Sequence, residues 1–311
     1  MALPTGTLTT TSDITSLVKT AYDQYVRMAL RSIPVMRALA DVKPVQQAMP
    51  GSSVVFSIYS DLSTATGTLT ESNDVSSIAL GNPSQVTVTL NEYGSAVTTT
   101  KKLNLTSFND VDSALADIIA YNAADSIDVV VANVLTGGSN VIYGGTATGA
   151  SGITASGTMT VADIREAVVQ LRTNKAVPRI GELYAAYLHP RQSADLRAEA
   201  GTGGFQELTK YVERTPFVAG AVGVIEGAFV VETPRVLSAS NGASPAITVY
   251  KAVVAGREAL AEAQAQDIST VIGPEIDALR RFRTIGWYYF GGFARLREAA
   301  LYRIETATSI N

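Results

Sequence analysis

The sequence predicts a mixed chain of helices and strands, with an α/β or α+β subdomain in its second half. Three observations predict it. Val86, Val88 and Leu90 alternate with Gln85, Thr87 and Thr89, the period-two signature of a half-buried strand. From Phe108 to Leu135 apolar residues recur at three-and-four spacing, as on one face of a helix. Beyond residue 160, short helical and strand-like runs alternate between Gly and Pro stops. With 311 residues the chain has room for two domains of about 150, or for one elongated fold.

Taken in order, the chain opens with a polar arm, Thr5 to Thr11, followed by an amphipathic run of Ile14, Leu17, Val18, Ala21, Tyr22, Tyr25, Met28 and Ala29. Pro34, Pro44 and Pro50 then prevent any long regular element. This terminal run reads either as a helix docked on the core or as an arm lying on a neighbouring molecule. Val54 to Tyr59 is a strand, paired in expectation with Val86 to Leu90. Between them, Ser60 to Gln85 is dominated by Ser, Thr, Gly and Asn, with Leu62, Leu69, Val75, Ile78 and Leu80 at wide intervals. Loops of this length are uncommon in compact domains, and a two-stranded excursion without its own core is marginal in water. It requires something else to lie on, a first pointer to assembly.

Phe108 to Leu135 is predicted as one helix of roughly 40 Å, capped by Ser107 or Asn109 and stopped by Gly137-Gly138. Its expected apolar face is Val111, Leu115, Ile118, Ile119, Asn122, Ile127, Val130 and Val134. Asp117, Asp125 and Asp128 fall off that face and are read as solvated. Residues 137–157 form a Gly-rich surface loop. A second helix is expected from Val161 to Asn174 with Thr160 as N-cap, then a strand at Leu183 to Leu188 and a helix opened by His189-Pro190 and running through Ala200. Strands follow at Gly220 to Ile225, Phe229 to Glu232 and Ile247 to Ala255. The chain closes with strand-like segments at Leu279 to Ile285 and Gly286 to Ile304, in which Arg alternates with apolar residues.

Composition excludes several function classes. Hydrophobic residues make up 46% of the chain, which rules out wholesale disorder, and charged residues only 17%, below the usual quarter. The absence of cysteine removes disulfides, thiolate metal sites and cysteine nucleophiles. His189 is the single histidine, so a site needing two imidazoles is impossible. A net charge of −4 and a sequence pI near 5.2 argue against tight gripping of nucleic acid. No run of 18 uninterrupted apolar residues predicts a membrane span, and the N-terminus has no secretory pattern. There is no Gly-x-Ser-x-Gly elbow, no Gly-Lys dipeptide for a phosphate loop and no EF-hand pattern. The glycine clusters around 144–149 and 201–204 lack the Rossmann context. Arg281-Phe282-Arg283 and Trp287 to Phe290 read as sheet residues buried on both faces. No catalytic, cofactor-binding or metal-ligating residue is therefore expected, and no cofactor.

The order of parts, together with Tyr184 to Pro190, Gly220 to Thr233, Val254 to Leu260 and Gly286-Trp287-Tyr288, resembles the major capsid proteins of tailed bacteriophages, with the shell fold named after phage Hong Kong 97. The resemblance implies an α+β fold with an N-arm (1–50), an extended β-hairpin loop (51–100), a peripheral domain with a long spine helix (101–178 and 265–311) and an axial domain (179–264). It implies a structural subunit of the virion, without catalysis, assembling in the host bacterial cytoplasm as hexamers and pentamers of itself into an icosahedral head around double-stranded DNA that it contacts weakly. The short arm implies a separate scaffolding protein. A portal and a possible decoration protein are further expected partners, and a membrane is not. The loop has no lysine, so covalent cross-linking through it is not expected. Inter-subunit contacts are expected at Leu62, Leu69, Val75, Ile78 and Leu80 in the loop and Ile14, Leu17, Tyr22 and Tyr25 in the arm. An encapsulin-type nanocompartment shell and an α/β enzyme of unidentified chemistry are the alternatives.

Overall fold

The computed structural model describes residues 31–44, 52–69, 71–72, 74–75, 77–106, 111–199, 221–243, 247–275 and 277–310. The arm residues Ile14, Leu17, Tyr22 and Tyr25 lie outside the described residues.

The described residues build two sheets and a separate hairpin. The first sheet has four strands, in the order β1 (Ala40–Pro44), β11 (Leu260–Ile272), β12 (Phe282–Arg295) and β4 (Asn91–Thr100). The second has the order β5 (Val141–Tyr143), β13 (Leu301–Thr306), β10 (Thr248–Ala255), β6 (Tyr184–Leu188), β8 (Ala228–Glu232) and β7 (Ala221–Ile225), with β9 (Ser238–Ser240) also on β10. The hairpin joins β2 (Ser53–Ile58) to β3 (Ser84–Thr89). Four helices complete the set: α1 (Lys101–Thr106), α2 (Val111–Leu135), α3 (Val161–Thr173) and α4 (Pro190–Ala198). The architecture is the mixed α+β one expected.

Helix α2 is the spine of the main core. Among its buried residues, Leu115, Ile119, Ala123, Ile127, Val131 and Leu135 follow a four-residue step. That stripe packs on Ile285, Trp287 and Tyr289 of β12 and reaches Ala185 and Tyr187 of β6 and Val253 and Ala255 of β10. The stripe is rotated from the face expected: Ile118 is exposed, and Asn122 accepts the Trp287 indole N–H at 2.9 Å. By length and composition Leu115–Leu135 is apolar enough to cross a membrane, although no uninterrupted apolar run announces it. Here its apolar stripe is covered by sheet.

The opposite face of the second sheet is closed by α3 and α4, with Ile164, Val168, Leu171 and Leu196 packed on Leu188, Val230 and Val254. Thr160 caps α3 as expected: its Oγ1 accepts the Asp163 N–H at 3.3 Å and the Asp163 carboxylate accepts the Thr160 N–H at 2.9 Å. Burial raises the Asp163 pKa against the lowering effect of these Thr160 hydrogen bonds.

Two sequence expectations are corrected. The segments 279–285 and 286–304 are not two strand runs; most of them form one 14-residue strand, β12, which passes straight through Gly286, Gly291 and Gly292. Between β12 and β13 the chain makes only a short 3₁₀ turn, Glu298–Ala300. Residues 91–100, expected as part of a loop, are a sheet strand along β12. Strands β5 and β13, far apart in the chain, pair with each other in parallel, and β13 pairs with β10 within the second sheet.

Candidate assembly interface

The hairpin is anchored at its base and unsupported at its tip. At the base, Val54, Phe56, Val88 and Leu90 pack on Ala263, Ala265, Phe290 and Ala294, on the face of the first sheet opposite α2. The Lys43 ammonium lies 4.9 Å from the centre of the Phe56 ring. Gly292 makes this close approach possible. A β-carbon on Gly292 would overlap the Thr89 carbonyl oxygen and come within 2.9 Å of Val88 Cγ1. Only a residue without a side chain lets the two backbones meet this closely.

Beyond that base the described residues of the loop belong to no buried cluster. Tyr59, Leu62, Leu69, Val75, Ile78 and Leu80 are all exposed, Leu69 to 76%. The five loop residues expected as contacts are thus solvent-facing within one subunit, and none belongs to a buried cluster. The loop also carries Asp61, Glu71 and Asp74 with no Lys or Arg between residues 59 and 83.

The far end of the first sheet has the opposite character. Here the last residues of β4 and β11 meet the start of β12, and the Lys101 N–H donates to the Arg281 carbonyl at 2.8 Å. Lys101, Lys102, Arg280, Arg281 and Arg283 gather there against Glu275 and Asp277, with Arg281 held on Asp277 at 2.5 Å. Val271, Ile272, Leu279, Leu103 and Leu105 are exposed among them.

A third feature fixes where the N-terminal segment meets the body. Asp128 is buried to 1% exposure, which corrects the reading of the helix carboxylates as solvated. Its Oδ1 accepts the Met36 N–H at 2.6 Å and the Arg37 N–H at 3.2 Å, and its Oδ2 accepts Arg235 Nε at 2.6 Å. Arg235 also pairs with Asp125 and donates to Ser32 Oγ at 3.1 Å. Tyr121 donates to the Ser32 carbonyl at 3.1 Å, and Arg31 Nη1 to the Asp117 carbonyl at 3.3 Å. Residues 31–37 therefore run along α2, in the helix direction, from Asp117 to Asp128. Next to this strap, Arg37 grips the fully buried Glu262 at 2.6 Å, and Tyr289 donates to the same carboxylate at 2.9 Å. The Glu262 hydrogen bond raises the Arg37 pKa; burial, then Glu262, raises that of Tyr289.

His189 caps α4, and among the described residues no group of three or more His, Asp or Glu side chains is placed to hold a metal ion. The charged groups that are buried are paired to charged partners or to backbone, as structural ties are.

A family profile described as phage capsid protein matches residues 8–310. The chain belongs to the phage capsid protein family. The capsid of Ralstonia phage GP4 has the same fold, with a TM-score of 0.76 at 17% identity over 98% of each chain. The capsid of cyanophage Pam1 superposes with a TM-score of 0.72 at 15% identity, over 96% of this chain and 98% of that one. For cyanophage P-SCSP1u the TM-score is 0.72 at 17% identity, over 99% and 97%. No match was found among curated protein sequences. The fold is thus the Hong Kong 97-like capsid fold, and this capsid protein is a structural, shell-forming subunit of the virion. Neither the nanocompartment nor the enzyme reading gains support.

Sequence reasoning found the hairpin, its coreless loop and the spine helix of this capsid protein. It missed the Asp128–Arg235 clamp, the Glu262–Arg37–Tyr289 cluster and the basic end of the first sheet. The partners in the first two are 27 to 225 residues apart, so no local pattern announces them. The basic end could have been found from Lys101-Lys102 and Arg280-Arg281 as two short like-charged runs.

Proposed function

We propose that this capsid protein assembles as hexamers and pentamers of itself into the icosahedral head of a tailed phage, and that the loop tip is a principal contact between copies. The observation that carries this is the exposed apolar row Leu62, Leu69, Val75, Ile78 and Leu80 on a loop with no core of its own. Burying each such side chain on a neighbour is worth about 1.5–3 kcal/mol. Many copies of a modest contact then close a stable shell. The acidic loop and the basic end of the first sheet are complementary in charge, and both carry exposed apolar residues. That end of another copy is the seat we assign to the loop. Ile14, Leu17, Tyr22 and Tyr25 of the arm make the second set of contacts.

On this reading residues 1–50 are the arm and 51–100 the extended loop with the strand that follows it. Residues 101–178 with 265–311 form the peripheral part, and 179–264 the axial part. The subunit has no catalytic role. Its acidic balance suits a wall that touches packaged double-stranded DNA weakly, and assembly takes place in the host cytoplasm with a separate scaffolding protein and a portal; a decoration protein is a possible addition on the outside. The chain has no cysteine, so Leu69→Cys introduces a single thiol. Maleimide labelling of that thiol is expected to be fast in dissociated subunits and at least tenfold slower in assembled particles. Equal rates in both states would overturn the assignment of the loop as a contact.

A further inference from the structure

The chain's only histidine occupies a position where its protonation state bears directly on the backbone. Leu188 ends β6, His189 keeps an extended backbone (φ −72°, ψ 146°), and Pro190 supplies the first helical residue of α4. His189 Nδ1 accepts the Arg191 N–H at 3.2 Å, while Gln192 Oε1 accepts the His189 N–H at 3.2 Å. This is a reciprocal cap, with imidazole in the place usually taken by Ser, Thr or Asp. The other end of the Gln192 amide donates to the Tyr250 carbonyl on β10 at 3.2 Å and to Thr306 Oγ1 on β13 at 2.7 Å. Gln192 is completely buried. The cap of α4 and the tie from α4 to the last strand therefore share one side chain.

Imidazole accepts at Nδ1 only when neutral; in imidazolium both nitrogens donate. The groups facing it come from three elements. From β10 the Tyr250 ring lies 4.3 Å away between centroids, tilted by 34°. From α4 comes Arg191, held on the Tyr250 hydroxyl at 3.0 Å. From β8 comes Glu232, which accepts from Ser193 Oγ at 3.0 Å and pairs with Arg197 at 3.6 Å. The Tyr250 face and Glu232 favour a positive ring. Burial, the Arg191 charge and the positive end of the α4 dipole oppose it. The opposing set prevails: burial first, then Arg191, holds the His189 pKa below its ordinary 6.5.

We propose that His189 is an acid-responsive cap, which fastens α4 to β10 and β13 while neutral and loosens the first turn of α4 and the end of β13 when protonated. A base whose folded-state pKa is depressed contributes stability that is complete above its ordinary value. That contribution declines as pH falls below 6.5, until the folded state is protonated as well. The device is local to one subunit and does not depend on how copies assemble.

Hydrogen exchange of the full chain between pH 7.5 and 5.5, corrected for the intrinsic pH dependence of exchange, tests it. Protection of amides in residues 191–198 and 302–306 is expected to fall about fivefold in the wild type. That is a cap worth about 1 kcal/mol converted at about 1.4 kcal/mol per factor of ten. His189→Asn caps without titrating and is expected to hold its protection constant. A wild type with unchanged protection, or an Asn variant with the same decline, would overturn the proposal. Should that variant fail to fold, the single imidazole resonance decides: it is expected to titrate below 6.5 together with the α4 amides, and a midpoint at or above 6.5, or α4 amides that do not follow it, would refute the switch.

Discussion

Replacing Asp128 with alanine removes the acceptor of two backbone N–H groups and one of the two carboxylates that hold Arg235. A buried donor left without a partner costs about 1–3 kcal/mol, and orphaning one member of a buried ion pair typically costs about 3–5 kcal/mol. Arg235 keeps Asp125, which softens the second figure. The expected loss for Asp128→Ala is therefore about 4 kcal/mol, a large part of the roughly 5–15 kcal/mol that holds a domain folded. Asp128→Asn keeps an oxygen for the Met36 and Arg37 amides and loses mainly the charged half, so about 2 kcal/mol is expected. Urea unfolding of the unassembled subunit measures both, through a lowered midpoint at unchanged slope. Hydrogen exchange at Met36 and Arg37 should show their amides deprotected in the Ala variant and largely protected in the Asn variant. An Ala variant within 1 kcal/mol of wild type, or an Asn variant as damaged as Ala, would refute the account of the clamp.

Gly292→Ala places a methyl group against the Thr89 carbonyl, where backbone and not a flexible side chain must yield. We expect at least 2 kcal/mol of destabilisation and a lower yield of particles by sedimentation, because the hairpin base lifts from the sheet. Leu69→Ser and Ile78→Ser should leave subunit unfolding within about 0.5 kcal/mol of wild type while raising the protein concentration needed for assembly, read by light scattering. For Glu298, burial acts to raise the pKa, but the Ser139 N–H and Arg295 outweigh it and the value lies below its ordinary 4.5. A depressed carboxylate stabilises the fold above its ordinary value and loses that contribution as pH falls through the folded-state one. Stability should thus decline less steeply below pH 4.5 in Glu298→Gln than in wild type, measured as urea midpoints from pH 5 to 3.

What was legible in the sequence is what local pattern encodes. The Thr160–Asp163 cap, the alternation around Val88 and the absence of apolar residues dense enough to support the loop each follow from neighbours in the chain, and each has its counterpart in the structure. The rotation of the α2 stripe was not legible, because Ile118 and Ile119 are equally apolar and only the position of β12 decides which is covered. Strand β11 was hidden by its composition: Ala-Glu-Ala-Gln-Ala-Gln has little strand propensity, and Glu262 is buried only because Arg37 and Tyr289 meet it from distant parts of the chain. Asp128 was misread for the same reason. A carboxylate is assigned to solvent by default, and its partners at Met36, Arg37 and Arg235 are supplied by tertiary structure alone.

Electron microscopy of the purified chain, alone and co-produced with the other head proteins of its phage, addresses the whole account at once. Closed isometric shells several hundred ångströms across, with the hairpin of each subunit laid over an adjoining one, are the predicted images. Dispersed single subunits under both conditions, or shells in which the hairpin projects into solvent without touching another copy, would contradict it.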